Sequence, residues 1–325
     1  MKSQEKVTAF RNGEIKRNRG KGNMGKGNMG MDACTLCPRM CGVNRAAGEK
    51  GYCGMDATIR AARAALHMWE EPCISGTRGS GAVFFSGCSL RCIFCQNFEI
   101  AEGNCAKEIS GERLSEIFLE LQEQGAANIN LVTAAHYVPA VIESLKKAKA
   151  QGMDLPVIYN SSGYERVETV QMLEEIVDVW LPDFKYMDSK LAFATSRAKD
   201  YPEVARAAIR EMMKAAGTCA YDEDGYIQKG VIVRHLILPG HTKNSIAVLD
   251  ELYGTYGDDL TISLMNQYTP LPQVRNIPDL NRRVTKREYE KVLDHALDLG
   301  ITQGFFQEGG TAKESFIPLF DYEGL

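Results

Sequence analysis

No uninterrupted apolar run in this 325-residue chain reaches the ~18 residues that would cross a bilayer. The opening stretch MKSQEKVTAFRNGEIKRNRG is polar and basic and lacks the apolar segment of a secretory signal, so a cytoplasmic protein with no membrane partner is expected. A dominant charge is missing too: 38 Lys and Arg stand against 42 Asp and Glu, a formal net charge of −4. That balance gives nucleic acid no global attraction, and none is expected as a partner. Cysteine is what the chain has in quantity. Seven of its ten cysteines fall in two tight clusters, which in a chain this long points to metal ligands in a reducing compartment rather than a disulfide framework.

Three regions follow from composition. Residues 1–31 combine Lys, Arg, Gly and Asn with a repeated KGNMG and cannot bury enough surface to order themselves, so they are expected to form a disordered basic tail. Residues 32–76 are rich in cysteine and turn formers and are expected to bind metal. Residues 77–325 alternate short apolar runs with helical patterns, the signature of a parallel α/β sheet. Strands are expected over 82–86, 128–133, 155–160, 177–182, 231–238 and 260–265. Helices are expected over 112–124, 138–151, 165–175, 203–216, 245–253 and 286–299. The simplest closure is a partial (β/α)6 TIM-like barrel with a carboxyl-terminal extension. In such a barrel the chemistry gathers at the carboxyl ends of the strands.

The first strand runs into FFSGCSLRCIFCQN, which sets Cys88, Cys92 and Cys95 in a CxxxCxxC loop. A [4Fe–4S] cluster ordinarily takes four thiolates, so three within eight residues leave one iron open to a further ligand. The alternatives are a structural zinc site, which wants four closed ligands that this loop does not offer by itself, or reactive thiols.

With Phe94 directly before the third cysteine, this loop resembles the signature of the radical S-adenosylmethionine (radical SAM) superfamily. The resemblance extends through CTLCPRMCGVNR, SGTRGSGAVFFSGC, NINLVTAAHY, YNSSGYE, LPDFKYMD, VRHLILPG and LMNQY to the PflX-like branch, homologous to pyruvate formate-lyase activating enzymes. It implies a [4Fe–4S] cluster on Cys88, Cys92 and Cys95 whose open iron binds SAM. It also implies a one-electron donor such as flavodoxin or ferredoxin, and reductive cleavage of SAM to a hydrogen-abstracting 5′-deoxyadenosyl radical. Phe94 would pack against adenine.

The later strand exits supply the remaining candidates. Thr133 stands where activating enzymes carry a GGE-type element. His136 is open to two readings, an acid–base or donor group and a structural histidine. Asn160, Ser161 and Ser162 could hydrogen-bond ribose or simply form a turn. Lys185 and Asp183 match an Asp-x-Lys element near SAM, or form an internal ion pair. Arg234 suits a carboxylate because its guanidinium binds bidentately, and Asn266 and Gln267, after the sixth strand, could contact adenine or substrate.

Cys34, Cys37, Cys41 and Cys53 form a separate CxxCxxxCx11C set, a closed four-thiolate site for zinc or a second [4Fe–4S] cluster. Cys73, Cys105 and Cys219 read as ordinary packed thiols. Three functions remain open. The first is an oxidoreductase that places a glycyl radical on a protein partner or takes hydrogen from a peptide or small substrate. The second is a radical SAM enzyme that modifies RNA or peptide. The third is a non-enzymatic metal-binding or electron-transfer protein.

Overall fold

The computed structural model describes residues 31–307 and 318–325. The expected tail lies outside the described residues except for Met31, which is buried against Cys34 and Leu36. In chain order the strands are β1 (Arg60–His67), β2 (Ser80–Phe85), β3 (Lys107–Glu108), β4 (Ile129–Val132), β5 (Val157–Ser161), β6 (Val179–Pro182), β7 (Ala220–Tyr221), β8 (Ile227–Leu236), β9 (Thr261–Met265) and β10 (Gly304–Phe306). The α-helices are α1 (Pro72–Ser75), α2 (Phe98–Ala101), α3 (Gly111–Glu123), α4 (Val138–Ala150), α5 (Val167–Leu173), α6 (Ser189–Ser196), α7 (Tyr201–Ala216), α8 (Thr242–Tyr256) and α9 (Lys286–Asp298).

The sheet runs in the order β10-β9-β8-β6-β5-β4-β2-β1-β3, with β7 paired to β8. From β2 to β10 every neighbouring pair along this path is parallel. β1 is antiparallel to β2 and to β3. Among the described residues the two ends of the sheet do not pair with each other, so the barrel is open. Strands β2, β4, β5, β6 and β9 are buried at every residue, which is why their sequences are continuous apolar runs rather than alternating ones.

All six strands and all six helices expected from periodicity are present, with ends shifted by a few residues. The helices form because their apolar residues recur at helical spacing. In α7 the buried Ala205, Ala208, Ile209, Met212 and Ala216 make one stripe toward the sheet. Ends are set by capping: Ser110 accepts from the Arg113 N–H ahead of α3, and Thr285 and Glu288 form a reciprocal box at the start of α9.

Four strands escape the sequence patterns, the two-residue β3 and β7 and the longer β1 and β10. β1 reads RAARAALH, dominated by alanine, which has little strand preference of its own; its pairing with β2 decides its conformation. Thus residues 60–67, read as part of the Cys-rich segment, belong to the barrel sheet. β10 is only three residues long and joins as a seventh parallel strand. The carboxyl-terminal residues then cover the free edge of β1. The Tyr322 N–H donates to the Ala62 carbonyl, the Ala64 N–H donates to the Glu323 carbonyl, and Arg63 pairs with Asp321 and Glu323. Among the described residues, no helix is long and apolar enough to cross a membrane.

Glu165, just ahead of α5, is an uncommon carboxyl in this interior. Burial pushes it up to about 8, although the Tyr159 and Ser161 hydroxyls favour the charged form. Unfolded, it titrates near about 4.3. Between those values the folded protein keeps a proton that the unfolded chain has released, so this group's contribution falls as pH rises. Glu165→Gln is expected to raise stability by about 1–3 kcal/mol near neutral pH, a gain that shrinks as the pH is lowered toward about 4. Urea denaturation of both proteins across that range checks it.

Candidate active site

The carboxyl ends of the parallel strands face one cavity of about 220 Å³. The loop after β2 contributes Cys88, Cys92, Phe94 and Cys95, and the exit of β4 contributes Thr133. From β5 come Asn160, Ser161 and Ser162, from β6 Asp183 and Lys185, and from β8 Arg234. These positions are scattered over almost 150 residues of sequence. One sheet assembles them because each parallel strand ends on the same side.

Two expected groups stand apart. Asn266 does not line the cavity, whereas Met265 and Gln267 on either side of it do, as alternation along an extended chain requires. The Asn266 N–H donates to Gln307 Oε1. His136 is buried outside the cavity lining, where its Nε2 donates to the Ser86 carbonyl at 2.7 Å and burial depresses it to about 3. Of its two readings, this geometry is that of a structural histidine.

The three thiols of the loop are set among donors. The Ser196 hydroxyl lies 3.0 Å from Cys92 Sγ, and the Leu90 N–H lies 3.4 Å from Cys88 Sγ. Burial pushes Cys88 up to about 11 and Cys95 up to about 12, with the Lys185 ammonium acting in the opposite sense on both. Hydrogen-bond donors and a cation beside buried sulfur favour its thiolate form.

Opposite the loop, the charged groups are tied to one another. Arg234 donates from Nε to Asp183 Oδ1 at 3.1 Å, from Nη1 to Glu70 Oε2 at 3.0 Å and from Nη2 to Asn160 Oδ1 at 2.6 Å. Lys185 Nζ takes the other Asp183 oxygen at 2.5 Å. Burial opposes all of these charges. For Arg234 and Lys185 it is outweighed by the neighbouring carboxylates, which hold both cations above their usual values, and for Asp183 by the two cations, which hold it below. The carboxylates that meet Arg234 here are the protein's own, and the Asp183–Lys185 ion pair does form.

Glu70 is the residue that sequence reasoning missed. Its Oε1 accepts from Asn130 and Asn160, and it lines the cavity beside Trp69 and His67. It follows β1, the strand without a periodic signal, so nothing in MWEEP marks it. Thr133 carries a second feature that sequence does not display: its φ of +62° is a left-handed conformation that a β-branched residue rarely adopts. Strain of this kind concentrates at ligand-binding walls.

Among the described residues, no three His, Cys, Asp or Glu side chains converge on a single metal ion. The donor set of the loop is three sulfurs lining one cavity with no fourth cysteine beside them. That set fits a cluster with one iron left to an outside ligand better than a closed zinc site.

An open parallel α/β barrel with a cysteine loop at its first parallel-strand exit defines the class. The Radical SAM superfamily profile matches residues 82–252, and the chain belongs to that superfamily. Its members are enzymes, and membership implies a [4Fe–4S] cluster and SAM. The chain is 28% identical over 270 residues to the uncharacterized protein MJ0674 of Methanocaldococcus jannaschii, covering 81% of this chain and 74% of that one. Among solved structures it is similar to Streptococcus suis SuiB bound to the precursor peptide SuiA, with 12% identity and a TM-score of 0.46 over 69% of this chain. The match spans about half of SuiB, 48% of its length. A domain of a pyruvate-formate lyase-activating enzyme from Bacteroides vulgatus ATCC 8482 matches at 16% identity and a TM-score of 0.37, covering 53% of this chain and 92% of that domain.

Removing Arg234 takes the shared cation from two largely buried carboxylates, of which Asp183 keeps Lys185 and Glu70 keeps no cation among the described residues. Arg234→Met is expected to lose about 3–5 kcal/mol of stability, and adding Glu70→Gln to recover part of it. Chemical denaturation of the single and double variants measures both.

Proposed function

We propose that this protein is a radical SAM oxidoreductase of the activating-enzyme type, with its catalytic cluster on Cys88, Cys92 and Cys95. The observation that carries the reading is the single cavity shared by those three sulfurs and by polar side chains from five later strand exits. When bound, the reduced cluster supplies the electron that splits the sulfonium of SAM, and SAM supplies the 5′-deoxyadenosyl radical that takes a hydrogen atom from substrate.

The protein's own residues bind and orient. Phe94, buried against Tyr186 and Tyr268, offers an aromatic edge to adenine. Asn160, Ser161 and Ser162 offer hydroxyl and amide groups to ribose, and Thr133 presents a strained peptide to the amino group of SAM. Lys185 is the cation for the SAM carboxylate, drawn from its pairing with Asp183; Asp183 and Arg234 then remain paired as the polar floor. Gln267 takes the place first given to Asn266.

As substrate we assign a glycyl-radical protein, as the resemblance to activating enzymes implies. The indole of Trp69, 58% exposed at the cavity wall, supports a polypeptide over a small molecule. A flavodoxin- or ferredoxin-type protein is the electron donor in this reading. The setting is the cytoplasm, where thiols stay reduced.

Anaerobically reconstituted, reduced protein is expected to convert SAM to 5′-deoxyadenosine and methionine. Cys88→Ala should abolish this, and Lys185→Ala should weaken SAM binding by about tenfold, the size of one charge-assisted contact. Product formation by Cys88→Ala at the parent rate would sink the assignment. A glycyl-radical signal on a co-purified partner by electron paramagnetic resonance tests the substrate.

A further inference from the structure

Arg45 is only 1% exposed, and among the described residues no carboxylate pairs with it in the way that carboxylates neutralise Arg234. Its Nη1 donates to the His136 carbonyl and its Nη2 to the Asp56 carbonyl, both at 2.5 Å, while its Nε has no partner. The Asp56 carboxylate pairs with Arg60 instead. Carbonyl dipoles do not cancel a full charge, and a buried guanidinium without an anion is strongly unfavourable.

The groups beside it that can become anionic are thiols. Cys34 Sγ lies 3.9 Å from Arg45 Nη1. Cys34, Cys37 and Cys53 are all buried in the same segment, and Cys41 meets Cys53 across Gly51. Space is kept for their sulfurs at Gly51. A Cβ there would stand 3.1 Å from Cys41 Sγ and 3.6 Å from Cys53 Sγ. The loop carrying the first three cysteines is turned back on itself by the Cys34 N–H to Val43 carbonyl bond and the Gly42 N–H to Cys34 carbonyl bond.

We propose that Cys34, Cys37, Cys41 and Cys53 hold a metal centre as four thiolates, zinc or an iron–sulfur cubane, with Arg45 as its built-in counter-cation. Each thiol releases its proton on binding, and four thiolates around either centre leave a net anion. The sulfurs do not converge on a single ion, and the same is true of Cys88, Cys92 and Cys95. None of the four lines the cavity, so this centre stands or falls independently of the radical chemistry. Its place in the fold gives it a role. Arg39, between Cys37 and Cys41, donates to the Ser89 carbonyl and the Ser196 carbonyl, both at 2.9 Å, which fastens this loop to the one that carries Cys88 and Cys92. Metal bound here braces the loop that carries Cys88 and Cys92.

The test uses the full chain with Cys88, Cys92 and Cys95 all replaced by Ala, prepared anaerobically. Elemental analysis is expected to find one zinc or about four irons per chain, with Mössbauer spectroscopy identifying a cubane. Adding Cys37→Ser and Cys53→Ser is expected to remove that metal. In the parent chain, Arg45→Met is expected to weaken retention against a chelator by about ten- to a hundredfold, and Arg45→Lys to restore most of it. Where a cysteine variant fails to fold, alkylation mapping of the parent chain replaces it, with the four thiols protected until chelator is added. Absence of stoichiometric metal from a chain with native circular dichroism, or free alkylation of all four thiols in the parent, overturns the proposal.

Discussion

The guanidinium of Arg234 is the point on which the rest of the site depends. It bonds at once to the exit of β5 through Asn160, to the exit of β6 through Asp183 and to the segment after β1 through Glu70. A planar fork with several fixed donors can do this where a single ammonium cannot. The strand ends it joins are already adjacent, since Asp183 and Arg234 form a bridge continuing the β6–β8 pairing. With both cations and both carboxylates accounted for internally, the wall is electrically balanced before any ligand arrives. A ligand with a carboxylate and a cationic centre can exchange with such pairs at modest cost, because each charge leaving a partner finds another.

That wall needs an opposing one, and the amino-terminal segment helps supply it. β1 adds an antiparallel strand to the end of the parallel sheet and delivers His67, Trp69 and Glu70 to the cavity. The cysteine loop ahead of β1 packs beneath the Cys88 loop through Arg39, and onto α5 through Thr169 and Arg166, whose side chains donate to the carbonyls of Leu36 and Thr35. The carboxyl-terminal residues seal the outer edge of β1, set Phe320 against Phe84 and bring Pro318 to the cavity. An open barrel thus obtains its missing side from both ends of the described chain.

Legibility in the sequence followed how local each signal is. The six apolar runs and six amphipathic patterns need only near neighbours to be read, and they became strands and helices in the expected order. The CxxxCxxC loop is equally local, since three thiols within eight residues stay together in any fold. β1 was hidden because alanine states no preference and the pairing partner does. Glu70 was hidden with it, since a carboxylate after an unrecognised strand looks like any exposed acidic residue.

By itself the sequence determined the class of sheet, the cysteine loop and which residue types stand at each strand exit, because periodicity and spacing are properties of the covalent chain. Only the tertiary structure decided which of those residues meet. Parallel alignment brought Thr133, Asn160, Asp183 and Arg234 to one cavity. Alternation turned Gln267 rather than Asn266 toward it, and burial made His136 a structural group. The reason is physical: local pattern sets the direction of a strand and the chemistry of its end, whereas register, pairing and charge balance are settled between elements far apart in the chain.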